Sequence, residues 1–169
     1  MTRRDFVTKW LLYAVGLVPF WLLETLIFPR LPFPGARPML LPLAAIAVAV
    51  REGAAGGAGY GLFVGLIADA VYPGVAGGMT FGLTLAGAAS GGLAQYVLRQ
   101  NYLSCLLCAL TTLLCMGAVR VASYLTRGAA LGALLGVAVP EILWSLVFTL
   151  PVYGVYRLIS DRVGRTRLR

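Results

Sequence analysis

Histidine is missing from the chain altogether, which removes the commonest general base and the commonest transition-metal ligand. Acidic residues are scarce as well: six Asp and Glu stand against 14 Lys and Arg, and charged residues make up only 12% of the sequence. Soluble domains carry about a quarter. A chain that is 60% hydrophobic, with a mean hydropathy of +0.87, has more apolar surface than a fold of this size can hide from water. It reads as a single-domain integral membrane protein. Cysteine is limited to three residues. Cys105 and Cys108 have C-x-x-C spacing, but no second pair completes a metal site, and free thiols in an apolar segment behave as small hydrophobes. No metal and no cofactor is expected. No basic stripe carries interleaved aromatics, so the net charge of +8 does not point to nucleic acid.

What is present is a succession of apolar runs. Residues 6–28 are predicted as a first helix. The basic start MTRRDFVTKW resembles that of a signal peptide, but the run is too long and lacks a small-residue cleavage site. Pro29, Pro32, Pro34 and Pro38 then impose an extended connector. A second helix over 39–50 is short, about 18 Å against a hydrocarbon core of about 30 Å. Arg51-Glu52 reads as a polar turn into a third helix over 53–72, where Gly53, Gly57, Gly61, Gly65 and Asp69 recur at every fourth position. That spacing aligns bare backbone patches and one carboxylate on a single face, and small residues so spaced allow close helix approach in lipid.

Pro73-Gly74 ends this helix. A fourth follows over 79–98, with Gly74, Gly78, Gly82, Ala86 and Ser90 again stepping by four. The third and fourth helices are predicted to pack closely, with Gly57, Gly61, Gly65, Gly78 and Gly82 as the contact face. Arg99-Gln100-Asn101 is the next break, before helices over 102–125 and 134–159 and a basic tail over 160–169. The expected fold class is an all-α polytopic membrane protein, a six-helix transmembrane bundle.

In this topology ten bases (Arg3, Arg4, Lys9, Arg51, Arg99, Arg157, Arg162, Arg165, Arg167 and Arg169) fall on one side. Arg30, Arg37 and Arg127 fall on the other, and the asymmetry places both termini in the cytoplasm. Glu24, Asp69, Arg120 and Glu141 lie within apolar spans, all in the outer half, and are expected to share a polar cluster. Asp69 sits near a helix C-terminus, where the macrodipole disfavours an anion, so a contact with Arg120 is predicted. Glu141 directly follows Pro140, which suits the first turn of a helix. Trp10, Trp21, Trp144, Tyr72 and Tyr124 read as interface residues. No nucleophile is paired with a base, and the off-centre polar groups do not suit a transport path. A binding or scaffold protein is therefore favoured over an enzyme.

The run from Gly59 to Asp69, GYGLFVGLIAD, resembles the G-F-x-x-G-L-x-x-D signature of the MreD family of rod-shape-determining membrane proteins. Gly78-Met79-Thr80-Phe81 matches the start of that family's next helix, and VAVPEILWSLVFTLPVYGVYRLI resembles its last, with Ser145 where Asn is frequent. The resemblance implies a non-catalytic protein of the bacterial cytoplasmic (inner) membrane. It further implies binding to the single-pass protein MreC and action in a cell-elongation complex with the MreB filament. That complex includes a SEDS glycosyltransferase and a class B penicillin-binding protein. The family is related in fold to the substrate-binding subunits of energy-coupling-factor transporters, which supplies the alternative of a vitamin-binding subunit.

Overall fold

The computed structural model describes residues 3–30, 38–71, 77–96, 102–125 and 131–165. The described residues form five helices: α1 (Arg3–Leu22), α2 (Leu40–Val71), α3 (Gly78–Tyr96), α4 (Tyr102–Leu125) and α5 (Leu131–Arg165). After Leu22 the chain keeps coiling, first as a π-helical turn over Leu23–Ile27 and then as a 3-10 turn over Phe28–Arg30. Four stretches are long and apolar enough to cross a membrane: Val7–Ile27, Leu40–Val71, Tyr102–Ala122 and Leu134–Ser160. Tyr72, Gly74, the proline-rich connector over 31–37, the Arg99-Gln100-Asn101 break and the tail beyond Arg165 lie outside the described residues.

The sequence reading has six helices where the structure has five, because helical backbone continues through Arg51 and Glu52. Only Gly53 departs, with φ 82° and ψ −173°, a conformation open essentially to glycine. This single residue reverses the chain. A Cβ placed on Gly57 would lie 2.7 Å from that of Ala49, whereas eight residues of straight helix would separate them by about 12 Å. Residues 40–52 and 54–71 are therefore two limbs of a hairpin.

The first limb is the centre of the molecule. Every residue from Leu40 to Val50 is buried, each at 1% exposure or less where it is hydrophobic. A helix apolar on all sides must be enclosed, and α1, α4 and α5 enclose it together with the second limb. Large side chains such as Leu11, Val15, Leu66, Phe81 and Leu150 point outward instead, each more than half exposed. Such a surface suits a hydrocarbon solvent and not water.

The second limb packs along α3 in antiparallel register. Gly65 faces Thr80, Gly61 faces Leu83 and Thr84, Gly57 faces Gly87, and Gly53 faces Gly91. A Cβ on Gly65 would fall 2.5 Å from Thr80 Cα, and one on Gly57, Gly61 or Gly91 would run into opposing backbone. The α3 side of this contact is displaced from the series expected. Gly78 is exposed, and Gly82 faces α4, where an added Cβ would lie 2.9 Å from Met116 Cε. An antiparallel contact meets α3 at 80, 83–84, 87 and 91, and the four-residue series drawn from Gly74 runs beside that row.

Because lipid is as apolar as leucine, burial alone gives little drive for helix association, and close backbone approach carries more of it. Gly61→Ala is expected to lower the thermal stability of the purified protein markedly, since the helices must separate to admit the methyl. Gly59→Ala, at an exposed position with open space around it, is expected to leave stability unchanged or slightly raised. Thermal unfolding in detergent compares the two.

Candidate functional site

A helix start carries four backbone N–H groups without intrahelical partners. For α2 these belong to positions 39–42, all buried. Glu24 meets two of them: its Oε1 accepts from Leu40 N at 3.2 Å and its Oε2 from Leu41 N at 3.1 Å. Ser145 Oγ accepts a third, from Met39 N at 2.9 Å, while donating to Glu141 O at 2.7 Å. The fourth position is Pro42, which has no N–H to satisfy. Glu24 lies in the π-helical turn that follows α1, and π turns frequently mark functional positions in helices.

Beside this start, Arg120 of α4 pairs with Glu141 of α5. One guanidinium nitrogen, Nη1, reaches both carboxylate oxygens at 2.9 Å, and Nη2 lies 3.4 Å from Met39 Sδ. Three of the four charged residues expected to cluster, Glu24, Arg120 and Glu141, thus converge around the buried end of α2. Glu141 does not cap its own helix. Helix α5 begins ten residues earlier, at Leu131, so Pro140 and Glu141 are interior positions.

Asp69 does not pair with Arg120. Its Oδ1 accepts from Met79 N and its Oδ2 from Thr80 N, both at 3.0 Å, and the Thr80 hydroxyl also donates to Oδ2. These are the N–H positions an N-cap side chain ordinarily serves, here served by a carboxylate from the preceding helix. The anion that its own helix end disfavours is held by the positive end of the next one. That is the physical reason no arginine is needed.

The opposite end of the bundle holds contacts that the sequence did not disclose. Lys9 of α1 forms an ion pair with Glu52, and Tyr13 Oη donates to the other Glu52 oxygen at 2.6 Å, which ties α1 to the reversal at Gly53. Deeper in, Tyr60 Oη donates to Tyr13 O at 3.0 Å and lies 2.9 Å from Tyr156 Oη. Trp10, expected at the interface, stands against this tyrosine group, with ring centroids 6.2 Å from Tyr13 and 6.1 Å from Tyr60. Opposite charges at helix ends on the same side of the membrane were the available signal for Lys9–Glu52. For Ser145 it was the four-residue step from Glu141.

Removing one partner of a half-sequestered ion pair leaves an uncompensated charge, typically at about 3–5 kcal/mol when fully buried and less here, where a third of Arg120 is exposed. Arg120→Met is expected to destabilise the protein more than the double change Arg120→Met/Glu141→Met. A thermal-unfolding cycle of the four proteins measures the difference.

A carboxylate engaged at both oxygens by backbone N–H groups is a poor general base, and both Glu24 and Asp69 are so engaged. The site's chemistry is that of fastening helices. Comparison with curated proteins and with solved structures gave no match. The family model described as rod shape-determining protein MreD matches residues 4–159, nearly the whole chain. On that match the chain belongs to the MreD family, and its role is that of a rod-shape-determining membrane protein.

Proposed function

We propose that the protein is a non-catalytic scaffold of the bacterial cell-elongation complex. In this reading it sits in the cytoplasmic (inner) membrane, crosses it six times with both termini in the cytoplasm, and binds an MreC-type single-pass partner. Through that partner it supports peptidoglycan synthesis by a SEDS glycosyltransferase and a class B penicillin-binding protein. The observation that carries the reading is the inward use of polar groups. Glu24, Asp69, Arg120 and Glu141 all close helix starts or an ion pair within the chain, and the outward surface is apolar. Such a body offers helix-on-helix and lipid contacts, as a membrane scaffold must.

The reversal at Gly53 supports six crossings, since it turns one long helical element into two antiparallel limbs. The same limb weighs against a captured vitamin, because the middle of the bundle is filled by the side chains of residues 40–50. The closely packed glycine face is expected to be internal, holding the second limb on α3, which leaves the outward faces of these helices for a partner.

Affinity purification from gently solubilised membranes tests the proposal. Recovery of a single-pass coiled-coil protein together with cell-wall synthases is the expected result. Recovery of a transporter's energising module with a tightly bound vitamin would contradict it.

A further inference from the structure

A proline inside a helix removes the bond to the carbonyl four residues before it and crowds that turn. Helix α5 carries Pro151 inside its apolar span, and the carbonyl that loses its bond belongs to Val147. Both residues are exposed on the outside of the bundle. Between them, Thr149 donates its hydroxyl to Ser145 O at 3.2 Å, a bond of the kind that often bends helices. Three residues further on, Gly154 has open space where a side chain would go, so packing does not require glycine there. The backbone ladder of α5 is weakened from 147 to 154.

Helix α1 is interrupted as well. Its α-helical run stops at Leu22, and the turn over Leu23–Ile27 is π-helical, with Phe28 N donating to Leu23 O. In the middle of that turn Thr25 donates its hydroxyl to Trp21 O. Two ring pairs relate these antiparallel neighbours. Phe20 stacks on Tyr156 with centroids 6.0 Å apart, and Phe28 lies 5.5 Å from Phe148. The π turn falls between Phe20 and Phe28, and Pro151 falls between Phe148 and Tyr156. Both interruptions therefore occupy the same interval of the bundle, side by side.

The contacts on the two sides of this interval are different. On the side remote from Gly53, Ser145 holds Met39 N and Arg120 holds Glu141, while Glu24 reaches Leu40 and Leu41 from the π turn itself. On the near side, Tyr156 shares a hydroxyl bond with Tyr60, and a Cβ on Gly16 would lie 2.6 Å from Ile159 Cδ1. We propose that α1 and α5 share a hinge in this interval. About it their remote ends, with the start of α2 and the Arg120–Glu141 pair, tilt as one body against the near ends. Hinges of this kind are a few residues that absorb the change in backbone angles while packed bodies move whole. The inference stands independently of the scaffold reading, since it needs no protein partner.

The test is a set of distance distributions between paired spin labels on the full chain in lipid nanodiscs, with Cys105, Cys108 and Cys115 replaced by Ala. Labels at the exposed Leu143 and Leu158 straddle the interval within α5, and Leu11 with Leu143 straddles it between the two helices. Leu103 and Val119 of α4, a helix without proline, give the reference. The expected distributions across the interval are about twice as broad as the reference, and Pro151→Ala, which restores the missing bond, narrows the α5 pair to the reference width. Widths equal to the reference overturn the proposal, because a fixed bend gives that result. A broad α5 distribution that Pro151→Ala leaves unchanged overturns the assignment of the hinge to this interval. Should Pro151→Ala fail to fold, the comparison with α4 in the chain that retains Pro151 decides.

Discussion

A backbone N–H that is buried without a partner in an apolar surround costs several kcal/mol, and a bilayer offers no water to relieve it. The first limb of α2 raises this problem sharply, because it starts inside the protein and is enclosed along its whole length. Two side chains and a proline resolve it. The Glu24 carboxylate spans two N–H groups, Ser145 takes the third, and Pro42 removes the fourth. The π-helical turn after α1 carries Glu24 to this start, and the chain from α5 brings Ser145 and Glu141 to the same place. Remove these groups and the enclosed limb loses its anchor, while α1, α4 and α5 lose what they pack around.

The same device recurs between the other helices. Asp69, near the end of α2, holds the start of α3. Arg120, late in α4, holds Glu141 of α5. Glu24, Asp69 and Arg120 thus each fasten one helix to the next in sequence, and each does so at the end of the bundle remote from Gly53. At the near end the Lys9–Glu52 pair fastens α1 to the reversal. Between these fastenings the glycine contact of the second limb with α3 brings backbones together over four successive positions. Such a body gains rigidity from bonds and close packing in a solvent that provides no hydrophobic drive. Rigidity of this kind suits a member of a shape-determining family.

Much of the architecture was legible because hydropathy and proline placement speak directly about spans and breaks. The glycine spacing of Gly57, Gly61 and Gly65 shows one face of a close contact, as it stands in the structure. What the chain could not disclose was register across the contact, so Gly78 and Gly82 were set on the wrong face of α3. Charge partners were legible only as a set. Opposite charge points Asp69 towards Arg120, yet a helix N-terminus is an equally good partner for an anion, and a linear sequence does not show which start lies within reach. Proline marks helix starts more often than interiors, which points Glu141 to a first turn, whereas α5 runs through both Pro140 and Pro151. The centrality of residues 40–50 was hidden for a different reason. A short, uniformly apolar helix reads as a weak span until its neighbours are seen to surround it.

The claim on which the account rests is that Glu24 holds the buried start of α2. Backbone amide hydrogen exchange at Leu40 and Leu41, resolved by NMR in the wild type and in Glu24→Ala, tests it most directly. The account predicts slow exchange at both amides in the wild type and fast exchange in the variant, with the amides of residues 44–50 less affected. Equal exchange at Leu40 and Leu41 in the two proteins would contradict it.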